Sequence, residues 1–305
     1  MTKHFFIFFT LTLNIFALDD AYLNAISAEV KKSNVNAVTY NVPKPNHPTN
    51  LSVQKSELST PSIIVDDKIT TVNKKIKTPN DIKVFTSKVI EPINYTNTIS
   101  LNKLQVSEKK QKFFHMILPA ILISKANLKL KRERVISLIN TPQDEMQEGD
   151  VQFLDNLYTK YKTKDIRKLA NRLKTHPVSI ILAQAAIESA WGESRFFKKG
   201  NNIFGMWSFN RNEPRIKALG TRNGKSIYVK KYSNLSDAID DYFVTIGRGA
   251  YKNFRKQRNL TDDPLKLVAY LNNYCELSNY PNKLRKFIIH NKLRKFDTFK
   301  LAANF

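Results

Sequence analysis

One acidic residue, Glu188, stands in an otherwise apolar stretch of this 305-residue chain. From His176 to Gly192 the residues run His-Pro-Val-Ser-Ile-Ile-Leu-Ala-Gln-Ala-Ala-Ile-Glu-Ser-Ala-Trp-Gly. Between Pro177 and Ala190 only Ser179, Gln184, Glu188 and Ser189 are polar. A helix apolar on nearly all sides is a buried central helix. Burial disfavours the charged carboxylate, and a place in the last turn, near the negative end of the helix dipole, acts the same way. A glutamate that keeps its proton near neutral pH is what a general acid needs to protonate a leaving oxygen. The competing reading is a buried glutamate satisfied by a lysine or a backbone amide. Unpaired buried glutamates are rare, which favours the catalytic reading. Gln184 lies four residues earlier, one turn away on the same face.

Downstream, Gly200-Asn-Asn-Ile-Phe-Gly-Met-Trp207 is a turn rich in amides and aromatics. Asn201 and Asn202 suit sugar hydroxyls and N-acetyl groups, while Phe204 and Trp207 offer flat apolar faces to pyranose rings. The bland alternative is a capped loop with two core aromatics.

These groups need elements to hold them. Thr175 is the expected N-cap of the central helix, Pro177 its first turn and Gly192 its stop. Ile216 to Arg222 and Lys225 to Tyr232 flank Asn223-Gly224, the preferred pair for a type I′ hairpin. Ser236 is expected to cap a helix with a stripe of Ala238, Ile239, Tyr242, Phe243 and Ile246. Asp263-Pro264 opens another running to Tyr274, and Pro281 a third through Leu284, Phe287 and Ile288. Upstream, Phe113, Phe114, Ile117, Leu118, Ile121 and Leu122 recur at helical spacing, and the period restarts at Phe153. The predicted fold class is mainly α (α+β): a helical body with a small β-hairpin lobe.

Composition narrows the function classes. The single cysteine, Cys275, excludes a disulfide framework, and five scattered histidines without HExxH spacing point to no metal and no cofactor. Net charge is +24, concentrated in residues 151–305, which draws an anionic partner or gives a lysine-rich solvated surface. No RNP, zinc-finger or helix-turn-helix pattern accompanies it, so nucleic acid is not expected. A lysine and fourteen mostly apolar residues, Phe5 to Leu18, have the layout of a secretory signal. Ile15 fits cleavage after Ala17 poorly, so an uncleaved anchor stays open. The expected location is the periplasm or cell envelope. Residues 19–108, rich in Asn, Ser, Thr, Lys and Pro, are read as a flexible tether. Residues 109–149 follow as a helical lead-in, 150–292 as the main domain and 293–305 as a basic tail. Asn-Lys-Leu-Arg-Lys-Phe occurs twice, at 282–287 and 291–296. The first copy is assigned to the last domain helix and the second to the tail, whose expected partner is at most anionic wall polymer or membrane.

Leu182 to Phe196 followed by Gly200 to Gly205, an ES-x-WG plus GNN-x-FG combination, resembles the signature of the bacterial glucosaminidase family, glycoside hydrolase family 73. The phenylalanine-rich helix at Phe113-Phe114 is similar to its Bax-type branch, and the resemblance covers about residues 110–292. It implies a lysozyme-like domain that hydrolyses peptidoglycan glycan strands between N-acetylglucosamine and N-acetylmuramic acid, with Glu188 as the acid. It also implies a substrate-orienting role for Tyr274, the first tyrosine of a Y-x5-Y pattern, against ordinary core packing. Gln184, Ser189, Trp191, Asn201, Asn202, Phe204, Trp207 and Tyr228 are the candidate substrate contacts. The second glutamate that some members carry before the hairpin turn is missing from Gly220-Thr-Arg-Asn-Gly224. Either Glu213 is brought in by lobe motion, or the substrate's 2-acetamido group serves as internal nucleophile. Two rivals are a lytic transglycosylase, disfavoured by Phe204-Gly-Met-Trp207, and a non-catalytic glycan-binding protein.

Overall fold

A computed structural model of the chain describes residues 68–275 and 279–302. The signal-like run and the tether up to residue 67 lie outside the described residues.

From residue 68 onward the expected tether is packed structure, which corrects the 19–108 assignment. β1 (Val72–Lys74), β2 (Val89–Ile90) and β3 (Ile93–Tyr95) are short, and β1 pairs in parallel with β3 in the register Val72–Ile93. Ile76, Ile82, Phe85, Ile93, Tyr95 and Leu101 are buried in the main core. Two asparagines, Asn97 of this stretch and Asn127 of the helix that follows, clamp its backbone. Asn97 accepts from the Ile76 N–H at 2.7 Å and donates to the Ile76 carbonyl at 2.8 Å, and Asn127 accepts from the Ile69 N–H. Buried polar backbone needs such partners, and side-chain amides supply both halves.

α1 (Val106–Ser137) fulfils the helical lead-in as a 32-residue element. By length and composition it is apolar enough to cross a bilayer, but most of its apolar stretch is buried inside the protein. α2 (Glu148–Tyr161) and α3 (Ile166–Arg172) lead to α4 (Val178–Glu188), which is buried from Val178 through Ala186. α5 (Arg195–Gly200) precedes the hairpin of β4 (Arg215–Arg222) and β5 (Lys225–Lys230). Asn223 and Gly224 both have positive φ, 48° and 72°, as the expected turn requires. α6 (Leu235–Gly247), α7 (Lys252–Gln257), α8 (Pro264–Leu267) and α9 (Tyr280–His290) complete the helical body. α1 packs against both α4 and α6.

Several boundaries differ from expectation. Pro177 itself occupies the N-cap of α4, and Thr175 does not cap it. Asn234, not Ser236, caps α6 by accepting from the Asp237 N–H. The helix expected to run to Tyr274 ends as a 3-10 turn at Tyr270. The basic tail is also corrected: Leu293–Thr298 is a 3-10 helix that buries Leu293 and Phe296, and β6 (Lys300–Leu301) pairs in parallel with β2. The two basic repeats therefore both close on the core, each inserting its leucine.

Candidate active site

α4 delivers Glu188 at its last turn, where the helix leaves the core and the side chain is only partly buried. Burial pushes its carboxyl up to about 7, opposed by a hydrogen bond from Tyr280 and by the Lys283 ammonium. The Tyr280 hydroxyl, at the start of α9, donates to Glu188 Oε1 at 2.9 Å. Behind Tyr280 runs a buried polar line. Gln184 Nε2 lies 3.3 Å from the Tyr280 hydroxyl, the Tyr242 hydroxyl lies 2.7 Å from Gln184 Oε1, and His176 Nε2 lies 2.8 Å from the Tyr242 hydroxyl. Burial holds the Tyr280 and Tyr242 phenols far above their ordinary range and the His176 imidazole well below its own, so all three are neutral.

The chain after Glu188 turns sharply. Ala190 and Trp191 both take left-handed φ, 52° and 58°, and Gly192 follows at 83°. Two consecutive non-glycine residues in that region are uncommon and costly, so surrounding bonds must hold them. Ser189 does so: its Oγ donates to the Ala185 carbonyl at 2.6 Å and accepts from the Gly192 N–H at 3.0 Å. A Cβ on Gly192 would stand 3.1 Å from the Phe197 ring.

Residues 163–293 match the glucosaminidase family described as mannosyl-glycoprotein endo-beta-N-acetylglucosaminidase. Over 162 residues the chain is 26% identical to Protein bax of Escherichia coli (strain K12), covering 49% of this chain and 55% of that protein. The chain spans about half the length of the curated relative it matches. Two solved structures are similar at low TM-score. The catalytic domain of the autolysin Auto from Listeria monocytogenes is 20% identical, with a TM-score of 0.36, covering 55% of this chain and 97% of that one. The glycoside hydrolase domain of FlgJ from Salmonella typhimurium is 24% identical, with a TM-score of 0.33, covering 49% and 91%.

Within the matched segment the expected site residues separate into two groups. Gln184 and Glu188 share the line described above. Tyr274 is fully buried and stacks on Tyr280, with centroids 5.6 Å apart and planes 11° from parallel, but the hydroxyl that reaches Glu188 is Tyr280's. The sequence reading missed Tyr280 because it weighed the first tyrosine of the Y-x5-Y pair and not the second. Asn202 spends its amide on the Met206 N–H and on the Met206 and Lys230 carbonyls, and Asn201 donates to the Thr96 and Tyr232 carbonyls. Both shape the turn from inside. Phe204 is buried against Tyr242, centroids 4.5 Å apart, so its face is taken. Trp191 packs edge-on to Phe113 and Phe114 and lies under the Lys110 ammonium.

The hairpin lobe keeps open faces. Trp207 bridges to Val229 and lies beside Phe209, which is 73% exposed and was not anticipated. The Arg215 guanidinium covers Tyr228 at 4.0 Å, and that of Arg222 stands 5.6 Å from the Trp207 ring. Glu213 is placed with Lys230, at 3.9 Å, whose ammonium also binds Asp241 at 2.9 Å. Among the described residues no carboxylate acts on Glu188.

Elements beyond the matched segment complete the site. Asp297, in the 3-10 helix Leu293–Thr298, accepts from the Ser179 N–H at 2.7 Å and from its hydroxyl at 2.8 Å, closing the N-terminal turn of α4. Lys125 of α1 donates to the His176 carbonyl at 2.8 Å.

Proposed function

We propose that this chain is an exported peptidoglycan hydrolase, an endo-β-N-acetylglucosaminidase that cleaves the β-1,4 bond between N-acetylglucosamine and N-acetylmuramic acid. The observation that carries this reading is a single partly buried carboxyl, raised to about 7 by burial, at the edge of a glucosaminidase domain. Glu188 donates its proton to the glycosidic oxygen as the bond to C1 breaks. With Glu213 tied to Lys230, the second role falls to the substrate: the 2-acetamido carbonyl oxygen attacks C1, and water later opens the resulting ring. The Glu188 carboxylate takes that water's proton, which restores the acid. Phe209, with Trp207 beside it on the hairpin lobe, supplies a stacking face for sugar rings. The basic surface assists approach to an anionic envelope, where residues 1–18 direct the chain.

Among the described residues no carboxylate acts on Glu188, which also suits a second reading, lytic transglycosylase chemistry, in which the sugar's own 6-hydroxyl closes on C1. Reducing-end analysis of sacculi digested with wild type and with Glu188→Gln separates the readings. The hydrolase releases fragments ending in reducing N-acetylglucosamine, and the variant releases them far more slowly. Anhydro-sugar ends would move the chain to the second reading. Retention on sacculi without any release by wild type would make it a binding module.

A further inference from the structure

The line from His176 to Glu188 has a direction, fixed by counting protons. An ionised carboxylate only accepts, so Tyr280 must give its one hydroxyl proton to Oε1. The Tyr280 oxygen is then free to accept, and the group at hand is the Gln184 amide, which must present its NH2 side. That orientation turns Gln184 Oε1 toward Tyr242, whose hydroxyl proton it accepts. The Tyr242 oxygen in turn accepts from His176, which fixes the imidazole as the Nε2–H tautomer. His176 Nδ1, left without a proton, is buried with no hydrogen-bond partner among the described residues. A bare acceptor there is tolerable, whereas a stranded N–H would be worse.

Four donors thus point one way, and reversing any of them reverses the rest. If the Gln184 amide flipped, its oxygen would compete for the Tyr280 proton and Glu188 would lose its donor. The flip is blocked from behind, because Tyr242 holds Gln184 Oε1 and His176 holds Tyr242. The His176 ring is itself wedged among Tyr242, Phe243 and Phe254, with centroid distances of 5.2 to 5.6 Å. Its backbone carbonyl is fastened by Lys125.

We propose that His176, Tyr242 and Gln184 are positioning residues: a one-way hydrogen-bond relay that keeps the Tyr280 proton on Glu188 Oε1 and so assigns the acid's own proton to Oε2. The proposal deepens the reading of Glu188 as general acid and rests on it for its catalytic consequence. An acid whose proton wanders between two oxygens delivers it to the glycosidic oxygen only part of the time. One locked on Oε2 is oriented before substrate arrives. The groups acting on Glu188 are Tyr280 and Lys283 from α9, with Tyr274 and Tyr251 close enough to feel its charge. Those acting on His176 are Arg258 and Lys125, both of which oppose a charged imidazole. The relay therefore stays neutral and does not itself titrate near pH 7.

The test reads Glu188 directly, by NMR titration of the full chain carrying 13C-carboxyl glutamate, the Glu188 signal being identified by its loss in Glu188→Gln. Tyr242→Phe and His176→Leu are expected to raise the Glu188 midpoint by about one pH unit, the scale of one donated hydrogen bond. The basic limb of sacculus digestion should move up with it. His176→Gln, whose side-chain amide can donate in place of Nε2–H, should restore most of the wild-type midpoint. A folded Tyr242→Phe protein with an unmoved midpoint overturns the relay. Where Tyr242→Phe does not fold, equal midpoints for His176→Gln and His176→Leu overturn it as well. A wild type that titrates as expected but digests no sacculi sinks the proposed function and leaves the relay standing.

Discussion

Two glutamates five residues apart, Glu188 and Glu193, are held in opposite protonation regimes. Both are taken partly out of water. Glu188 then receives one hydrogen bond, from Tyr280, and the pull of Lys283, too little to offset burial, so its carboxyl rises to about 7. Glu193 is less deeply buried, and its burial penalty is outweighed from four sides. The Ser100 hydroxyl, the Lys109 ammonium, the Leu101 N–H and the Lys198 ammonium together hold it below the usual carboxylate range. Its contacts are 2.8 Å to Ser100, 3.1 Å to the Leu101 N–H, and 3.6 and 3.5 Å to the two lysines. Depth of burial and the number of donors together decide which glutamate keeps a proton. Glu193 has become a latch that ties residues 100–101 and the start of α1 to the strained turn after the acid.

The largest test of this contrast is activity. Glu188→Gln should lower muropeptide release by ~10²–10⁴-fold, the usual worth of a general acid. Glu193→Gln should leave the pH profile where it was. Equal losses for the two variants, in folded proteins, would erase the distinction.

Stability should run the other way. Glu193→Ala removes several charge-assisted bonds across a part-buried junction and should cost about 2–3 kcal/mol, measured by denaturant or thermal unfolding at pH 7. Because the folded Glu193 carboxyl is depressed, its contribution is present above the unfolded value near 4.5 and fades as pH falls through the lower folded value.

Glu188 carries the reverse linkage. Its folded carboxyl, near 7, lies above the unfolded 4.5, so the native state loses stability as pH rises between them. Glu188→Gln should therefore unfold at a higher temperature than wild type at pH 8 and at a similar one at pH 4. The gain at pH 8 is about 2 kcal/mol once partial exposure is allowed for. A variant equally stable or weaker at pH 8 would contradict the raised carboxyl.

How much of this was legible in the sequence depends on range. Glu188, its apolar helix and the Asn223-Gly224 turn are local patterns, and each stands where spacing put it. The chain from 68 to 108 was not legible. Its strands are two or three residues long, β2 meets a partner more than two hundred residues away, and Asn97 looks like loop composition while acting as a backbone clamp. The roles of Asn201, Asn202 and Phe204 were misplaced for a related reason. Amides and aromatics suit a sugar and a tight turn equally well, and only their partners tell which. Tyr280 and His176 were in view in quoted motifs, but a hydrogen-bond line joining residues 92 apart leaves no periodicity to read.

The smallest expected effect concerns a third carboxylate, Asp297, at the opposite end of α4 from Glu188. Pro177 at the N-cap offers no side-chain acceptor, so the first turn of α4 depends on Asp297 in the 3-10 helix Leu293–Thr298. Asp297 satisfies the Ser179 N–H and places negative charge at the positive end of the helix. Asp297→Ala should therefore lower stability by about 1 kcal/mol, the typical value of a lost cap. Asp297→Asn, which keeps an acceptor for the Ser179 N–H, should lose less. Nine residues of helix separate Ser179 from Glu188, roughly 14 Å at 1.5 Å per residue. Neither substitution should therefore move the basic limb of the digestion profile. A shift of that limb in Asp297→Ala would mean that the proton on Glu188 is governed from both ends of the helix, and that the contrast with Glu193 is not a matter of local burial and nearby donors alone.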